Sequence, residues 1–149
     1  MLVVIALHVL AVVVWVGGMS FTLFVLREGL APLAPPERLR VLARVFGRFL
    51  PIVGAAIVVI AATGGWLLPQ YGGVRGAPWG VHAMIALGVV MIVVYAVLLL
   101  RHNPRFQAAV RAEDWPAAGA LAGRIRMLVG LNLVLGVVVI VAGIVGRGG

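Results

Sequence analysis

Apolar residues run almost unbroken through four stretches of this chain, and the polar residues are collected in the connections between them. The stretches lie at about 2–26, 49–68, 81–100 and 127–145, each near the roughly 20 residues that an α-helix needs to cross a bilayer. The pattern predicts four transmembrane helices in one domain, residues 1–149. Short connections favour an up-down-up-down four-helix bundle. The start of the chain has no basic segment ahead of its apolar run, so the first stretch is expected to be a retained span and not a cleaved leader.

The connections are asymmetric. Arg27, Arg38, Arg40, Arg44 and Arg48 lie between the first two spans, and Arg101, Arg105, Arg111, Arg124 and Arg126 between the last two. The middle connection holds only Arg75, a bias of ten arginines to one. The positive-inside rule puts both basic connections in the cytoplasm and both termini and the 69–78 loop outside. Trp66 and Trp79 flank that outer loop as interfacial anchors. The basic connections should themselves be helical. Pro35-Pro36-Glu37 opens a segment in which Leu39, Leu42 and Phe46 recur at helical spacing, running into span two. Asn103-Pro104 reads as an N-cap followed by proline at the first helical position. Asp114 reads as the cap of a segment that leads from Trp115 through Arg126 into span four. The expectation is an all-α integral membrane bundle with arginine-rich cytoplasmic helix extensions. Glycines in and beside the spans, Gly54, Gly88 and Gly136 among them, suit close helix approach, because expulsion of water cannot drive association in lipid.

Composition sharpens this reading. Of 149 residues 64% are hydrophobic and 11% charged, against about 25% charged in soluble domains, and mean hydropathy is +1.20. The net charge of +8 comes from arginines beside apolar runs, so it marks topology and a lipid bilayer as partner, not nucleic acid. There is no cysteine, which excludes disulfides and thiolate metal sites, and no lysine. Glu28, Glu37, Glu113 and Asp114 all fall in cytoplasmic connections. With no intramembrane acid, carboxylate pair, nucleophilic triad or phosphate loop, hydrolysis and acid-relayed proton transport are disfavoured.

The chemistry that remains is histidine. An ionisable ring inside a span is costly and needs a partner. His8 stands about 9 Å inside the start of span one at ~1.5 Å of rise per residue, and His82 stands near the outer end of span three. The topology returns both to similar depth on the outer side. On a helical wheel Val12, Trp15, Met19 and Thr22 share the face of His8, and Ala86, Val89, Val93 and Leu100 that of His82. With neighbouring axes about 10 Å apart the bundle diagonal is about 14 Å. That gap suits a haem b held between two axial imidazoles. A copper ion needs ligands closer, at bonds of about 2 Å. The alternative is that each ring bonds a neighbouring hydroxyl or carbonyl. Thr63, near the outer end of span two, can donate to a histidine or to a haem propionate, and Arg75 can pair with such a propionate. His102 is expected to be solvated at the cytoplasmic end of span three, and Asn132 to hydrogen-bond between helices.

Leu7-His8-Val9-Leu10 followed by Trp15-Val16-Gly17-Gly18-Met19, then Ala62-Thr63-Gly64-Gly65-Trp66-Leu67 and Val81-His82-Ala83-Met84, resembles the CopD family of bacterial inner-membrane proteins. So do Asp114-Trp115-Pro116 and the run from Arg124-Ile125-Arg126 to Gly130-Leu131-Asn132-Leu133-Val134-Leu135-Gly136. The resemblance implies copper resistance and copper passage across the inner membrane, with His8 and His82 as metal-binding candidates. The layout is also similar to four-span b-type cytochromes, which implies a haem-dependent oxidoreductase linked to quinone or a periplasmic redox partner. It is similar too to HemJ-type protoporphyrinogen oxidases, whose second-span lysine has no counterpart here. A third reading is a structural accessory subunit of a larger membrane complex, or one copy of an oligomer.

Overall fold

The computed structural model describes residues 1–146. Four long helices account for nearly all of them: α1 (Leu2–Leu30), α2 (Pro35–Tyr71), α3 (Trp79–Arg111) and α4 (Trp115–Val145). A single helical turn, Gly73–Gly76, sits in the connection between α2 and α3, and the described residues contain no strand. All four helices are long and apolar enough to cross a membrane. In the most apolar window of α3 only 11% of residues are buried within the protein. Hydropathy that high with burial that low is explained by lipid, which covers what the protein does not.

Each helix exceeds what the bilayer requires. The 33 α-helical residues of Pro35–Leu67 span about 50 Å at 1.5 Å per residue, against a hydrocarbon core of about 30 Å. The excess lies at the arginine-rich end, where the extensions pack on one another. Leu39, Ala43 and Phe46 of α2 bury against Phe106 of α3 and Ala118 and Ile125 of α4. Phe106 is fully buried, and its ring meets Phe46 edge-on at 6.3 Å. An exposed Arg40–Glu113 ion pair of 3.0 Å crosses this end, with Arg40 also stacked over Trp115 at 4.9 Å. Exposed pairs of this kind contribute little; the aromatic core carries the extension.

Local signals explain most of the boundaries. Two prolines open α2, where a missing N–H costs nothing. Asp114 caps α4 by accepting from the Ala117 N–H at 3.2 Å. At Asn103-Pro104 the expectation of a new helix start is corrected. Asn103 has helical φ/ψ of −62° and −45°, and α3 continues through it to Arg111. The chain accommodates Pro104 by winding Leu98–His102 as a π-turn, in which the Asn103 N–H reaches back to the Leu98 carbonyl. Widening the ladder just ahead of a proline supplies room for its ring and frees it from donating. A second π-turn, Phe21–Leu26, interrupts α1 near its own arginine-rich end.

Helix pairing follows the expected order. α1 packs along α2 and α3 along α4, while α4 also contacts α1 and α2. Three side-chain donors join neighbouring helices. Tyr95 donates to the Leu50 carbonyl at 2.8 Å, Gln107 to the Ala43 carbonyl at 2.8 Å, and buried Asn132 to the Met91 carbonyl at 3.1 Å. Gly54 makes the first possible, since a Cβ there would lie 2.6 Å from the Tyr95 hydroxyl oxygen. Gly80 does the equivalent for α3 and α4: a Cβ would meet the Ala142 carbonyl oxygen at 2.5 Å and Gly146 Cα at 2.8 Å, both backbone. Gly88, on the same helix, has nothing within 4 Å of that position.

Gly80→Ala should therefore destabilise the purified bundle by about 1–3 kcal/mol, the usual cost of overpacking against atoms that cannot move. Gly88→Ala should leave it unchanged or stabilise it slightly. Thermal unfolding of both in the same detergent checks the contrast, and equal melting temperatures would contradict the close approach.

Candidate functional site

His8 lies in the second turn of α1 and turns toward α2. Its Nδ1 is 2.8 Å from Thr63 Oγ1, and its Cε1 lies over Gly64, where a Cβ would sit at an ordinary contact of 3.5 Å. Thr63 is buried. Its hydroxyl has one proton, directed to the Val59 carbonyl at 2.6 Å with the Ile60 carbonyl at 3.2 Å. Both are acceptors only, so Thr63 has no proton left for the imidazole. With the Thr63 proton on the Val59 carbonyl, Nδ1 donates and Thr63 accepts, which selects the Nδ1–H tautomer of the ring. The contact between Thr63 and a histidine is as expected from the sequence. The consequence is chemical: neutral His8 carries its proton on Nδ1 and presents a bare lone pair at Nε2. Fixing the far nitrogen in this way is how proteins orient ligating histidines.

His82 reaches a similar electronic state by a different route. Its Nδ1 is 3.2 Å from the carbonyl of Pro78, the residue that caps the start of α3. A carbonyl only accepts, so Nδ1 again donates, and in the neutral ring Nε2 is again bare. The ring is exposed. Ala86, Val89, Val93 and Leu100, which share its face, are exposed as well. Val89 at 55% and Val93 at 56% show that this face of α3 looks away from the bundle. The face of His8 behaves oppositely, with Trp15 and Met19 buried in the core. His8 thus points across to α2 and His82 back along its own helix. No hydrogen bond joins them, and among the described residues no three His, Cys, Asp or Glu side chains gather as a metal-binding group.

The other candidates divide by depth. Arg75 stands exposed on the outer helical turn Gly73–Gly76. Asn132 is 1% exposed; its amide nitrogen is satisfied by Met91 while its Oδ1 has no partner. Met19 and Met91 belong to the same buried core cluster. His102 is half-buried, and its Nδ1 is enclosed without a partner, where solvation was expected. Sequence reasoning did not single out Gly64 as the floor beneath His8. The signal was present in Thr63-Gly64-Gly65, one helical turn of small residues facing the only histidine on α1.

Four long apolar helices with arginines gathered at one end define a multi-pass membrane protein. Residues 43–145 match the family described as Copper resistance protein D. The chain belongs to that family. The match begins inside α2 and takes in Thr63, His82 and Asn132, while His8 precedes it. No curated protein and no solved structure matches the chain.

Thr63→Val should release His8 from a single tautomer, and Thr63→Ser should preserve it. Nitrogen-15 spectra of histidine-labelled protein report this directly. An unchanged His8 pattern in Thr63→Val would contradict the assignment of Thr63 as acceptor.

Proposed function

We propose that this protein handles copper as cargo at the outer face of the inner membrane, with His8 Nε2 as a point of metal contact. The observation that carries the reading is the 2.8 Å contact of His8 Nδ1 with Thr63, which in the Nδ1–H tautomer leaves one oriented imidazole lone pair at Nε2. His82 supplies a second bare Nε2 at the exposed rim. Imidazole is a competent copper ligand, and thioethers favour the softer cuprous ion. Deeper in the core come Met91 and the unpartnered Oδ1 of Asn132, near the level of Val16, then Met19, about 16 Å further along α1 than His8. Such a donor set is spread out. Closed resident sites gather about four ligands around one point, whereas single donors at successive depths suit an ion in transit.

A second reading shares the same observation. Imidazoles with Nδ1 tied to oxygen and Nε2 bare are also suited to axial ligation of haem b, in an electron-transferring protein linked to quinone or a periplasmic partner. The His8 and His82 faces differ in burial, so this reading requires α3 to present His82 inward.

Competition for cuprous ion between the purified protein and a chromogenic chelator separates these readings. His8→Ala should abolish the tightest binding. Thr63→Val should weaken it by about ten- to a hundredfold, as loss of an orienting partner does, and His82→Ala should also reduce uptake. Circular dichroism should show the bundle intact in each. A Soret band that shifts on reduction and disappears in His8→Ala would instead establish haem. Unaltered copper affinity in both histidine variants, with no chromophore, would refute both.

A further inference from the structure

The inner end holds a cavity of about 320 Å³ between α1, α2 and α4 that copper handling does not use. Three arginines from three helices line it: Arg27 of α1, Arg38 of α2 and Arg126 of α4. No carboxylate lines it. Among the described residues the one ion pair is Arg40–Glu113, so these three arginines line the cavity without an ion-pair partner from the protein. Glu28 and Glu37, their neighbours in sequence, are exposed and unpaired. Pro35, at the start of α2, also faces the cavity. The helix has no side-chain cap there, so its positive dipole end adds to the same field.

The rest of the wall is apolar. Leu23, Leu42, Phe46 and Val129 line it, and Leu23 and Val129 lie within the membrane-crossing runs while Arg27 and Arg126 stand just beyond them. The π-turn Phe21–Leu26 forms the α1 side, with the Thr22 hydroxyl folded back onto the Met19 carbonyl at 2.9 Å. On the α4 side Gly119 and Gly123 line the space, and neither has an atom within 4 Å of where a Cβ would be. Cationic at the rim and greasy below, the cavity matches an amphiphile whose negative charge sits at the membrane surface and whose tail runs inward. Its volume is at the lower end of small-molecule sites, enough for a headgroup and the first carbons of a chain that continues into lipid.

We propose that this cavity seats one anionic phospholipid of the cytoplasmic leaflet, its phosphate held by Arg27, Arg38 and Arg126 and its acyl chains laid between α1 and α4. Basic recesses between transmembrane helices on the cytoplasmic side are suited to such headgroups. Arginine supplies the planar donor fork that phosphate oxygens accept. An occupant would place a negative charge among the three arginines and fill the gap over Gly119 and Gly123. It would thereby act as a stabilising wedge at the inner end.

The test uses the full chain in a neutral detergent, with phosphatidylglycerol, phosphatidylcholine and inorganic phosphate added separately. Native mass spectrometry and thermal unfolding are the readouts. Phosphatidylglycerol should bind as a discrete single adduct and raise the melting temperature, and the other two should do neither. Combining Arg27→Gln, Arg38→Gln and Arg126→Gln should weaken phosphatidylglycerol binding about fivefold per arginine, on the order of a hundredfold together. The matched triple Arg44→Gln, Arg105→Gln, Arg111→Gln removes equal charge outside the cavity and should retain it. Gly123→Leu keeps every arginine and fills the groove, and should lose the adduct. The proposal is overturned if inorganic phosphate stabilises as well as lipid, if the two triples behave alike, or if Gly123→Leu still binds.

Discussion

A hydrogen-bond donor placed in hydrocarbon must find an acceptor other than water, and this requirement joins the four helices. Tyr95 and Asn132 each reach from one helix to a backbone carbonyl of a neighbour, and Gln107 does the same in the extension beyond the membrane. A helical carbonyl already serves its own ladder, but its oxygen has a second lone pair, so the added bond leaves the helix intact. His8 follows the same logic one step removed, donating to a hydroxyl whose own proton is spent on carbonyls. Each such bond contributes about 0.6 kcal/mol and at most about 1.7 in measured membrane bundles. Their value is therefore largely directional. Leu, Val and Ile pack about equally well at many rotations of a helix, whereas a polar group has one satisfactory orientation.

The two ends of the bundle treat charge differently. At the outer end the ionisable groups within the spans are imidazoles, each beside an oxygen. At the inner end they are guanidiniums on the rims of three helices, with acids too few and too exposed to balance them. The same arginines that set topology during insertion remain in the folded protein as an electrostatic surface at one level of the membrane. The core between the ends is almost free of polar groups, and Asn132 is the buried exception.

Much of this architecture was legible in the sequence, because hydropathy, arginine asymmetry and the Asp114 cap are local signals with single causes. The burial of Trp15 and Met19 on the His8 face could also be read, since a tryptophan and a thioether at helical spacing stand out among valines and leucines. The facing of His82 could not. α3 is apolar on all sides, so a wheel identifies which residues share a face but not whether that face meets lipid or protein. Thr63 illustrates a different limit. Its proximity to a histidine was predictable from depth, but the direction of the proton depended on the Val59 and Ile60 carbonyls. Asn103-Pro104 carried the local signature of a helix start, and packing of Phe106 and Gln107 against α2 kept the helix running through it.

The π-turns at Phe21–Leu26 and Leu98–His102 interrupt α1 and α3 where each approaches its arginine-rich end. A turn closed from five residues back consumes more chain than an α-turn, so the residues beyond it are rotated about the helix axis relative to an uninterrupted helix. The intramembrane half and the inner half of each rod are thereby phased separately. Each wide turn thus sets how the arginine-rich end of its helix is aimed relative to the apolar span, while α2 and α4 run through both halves without one.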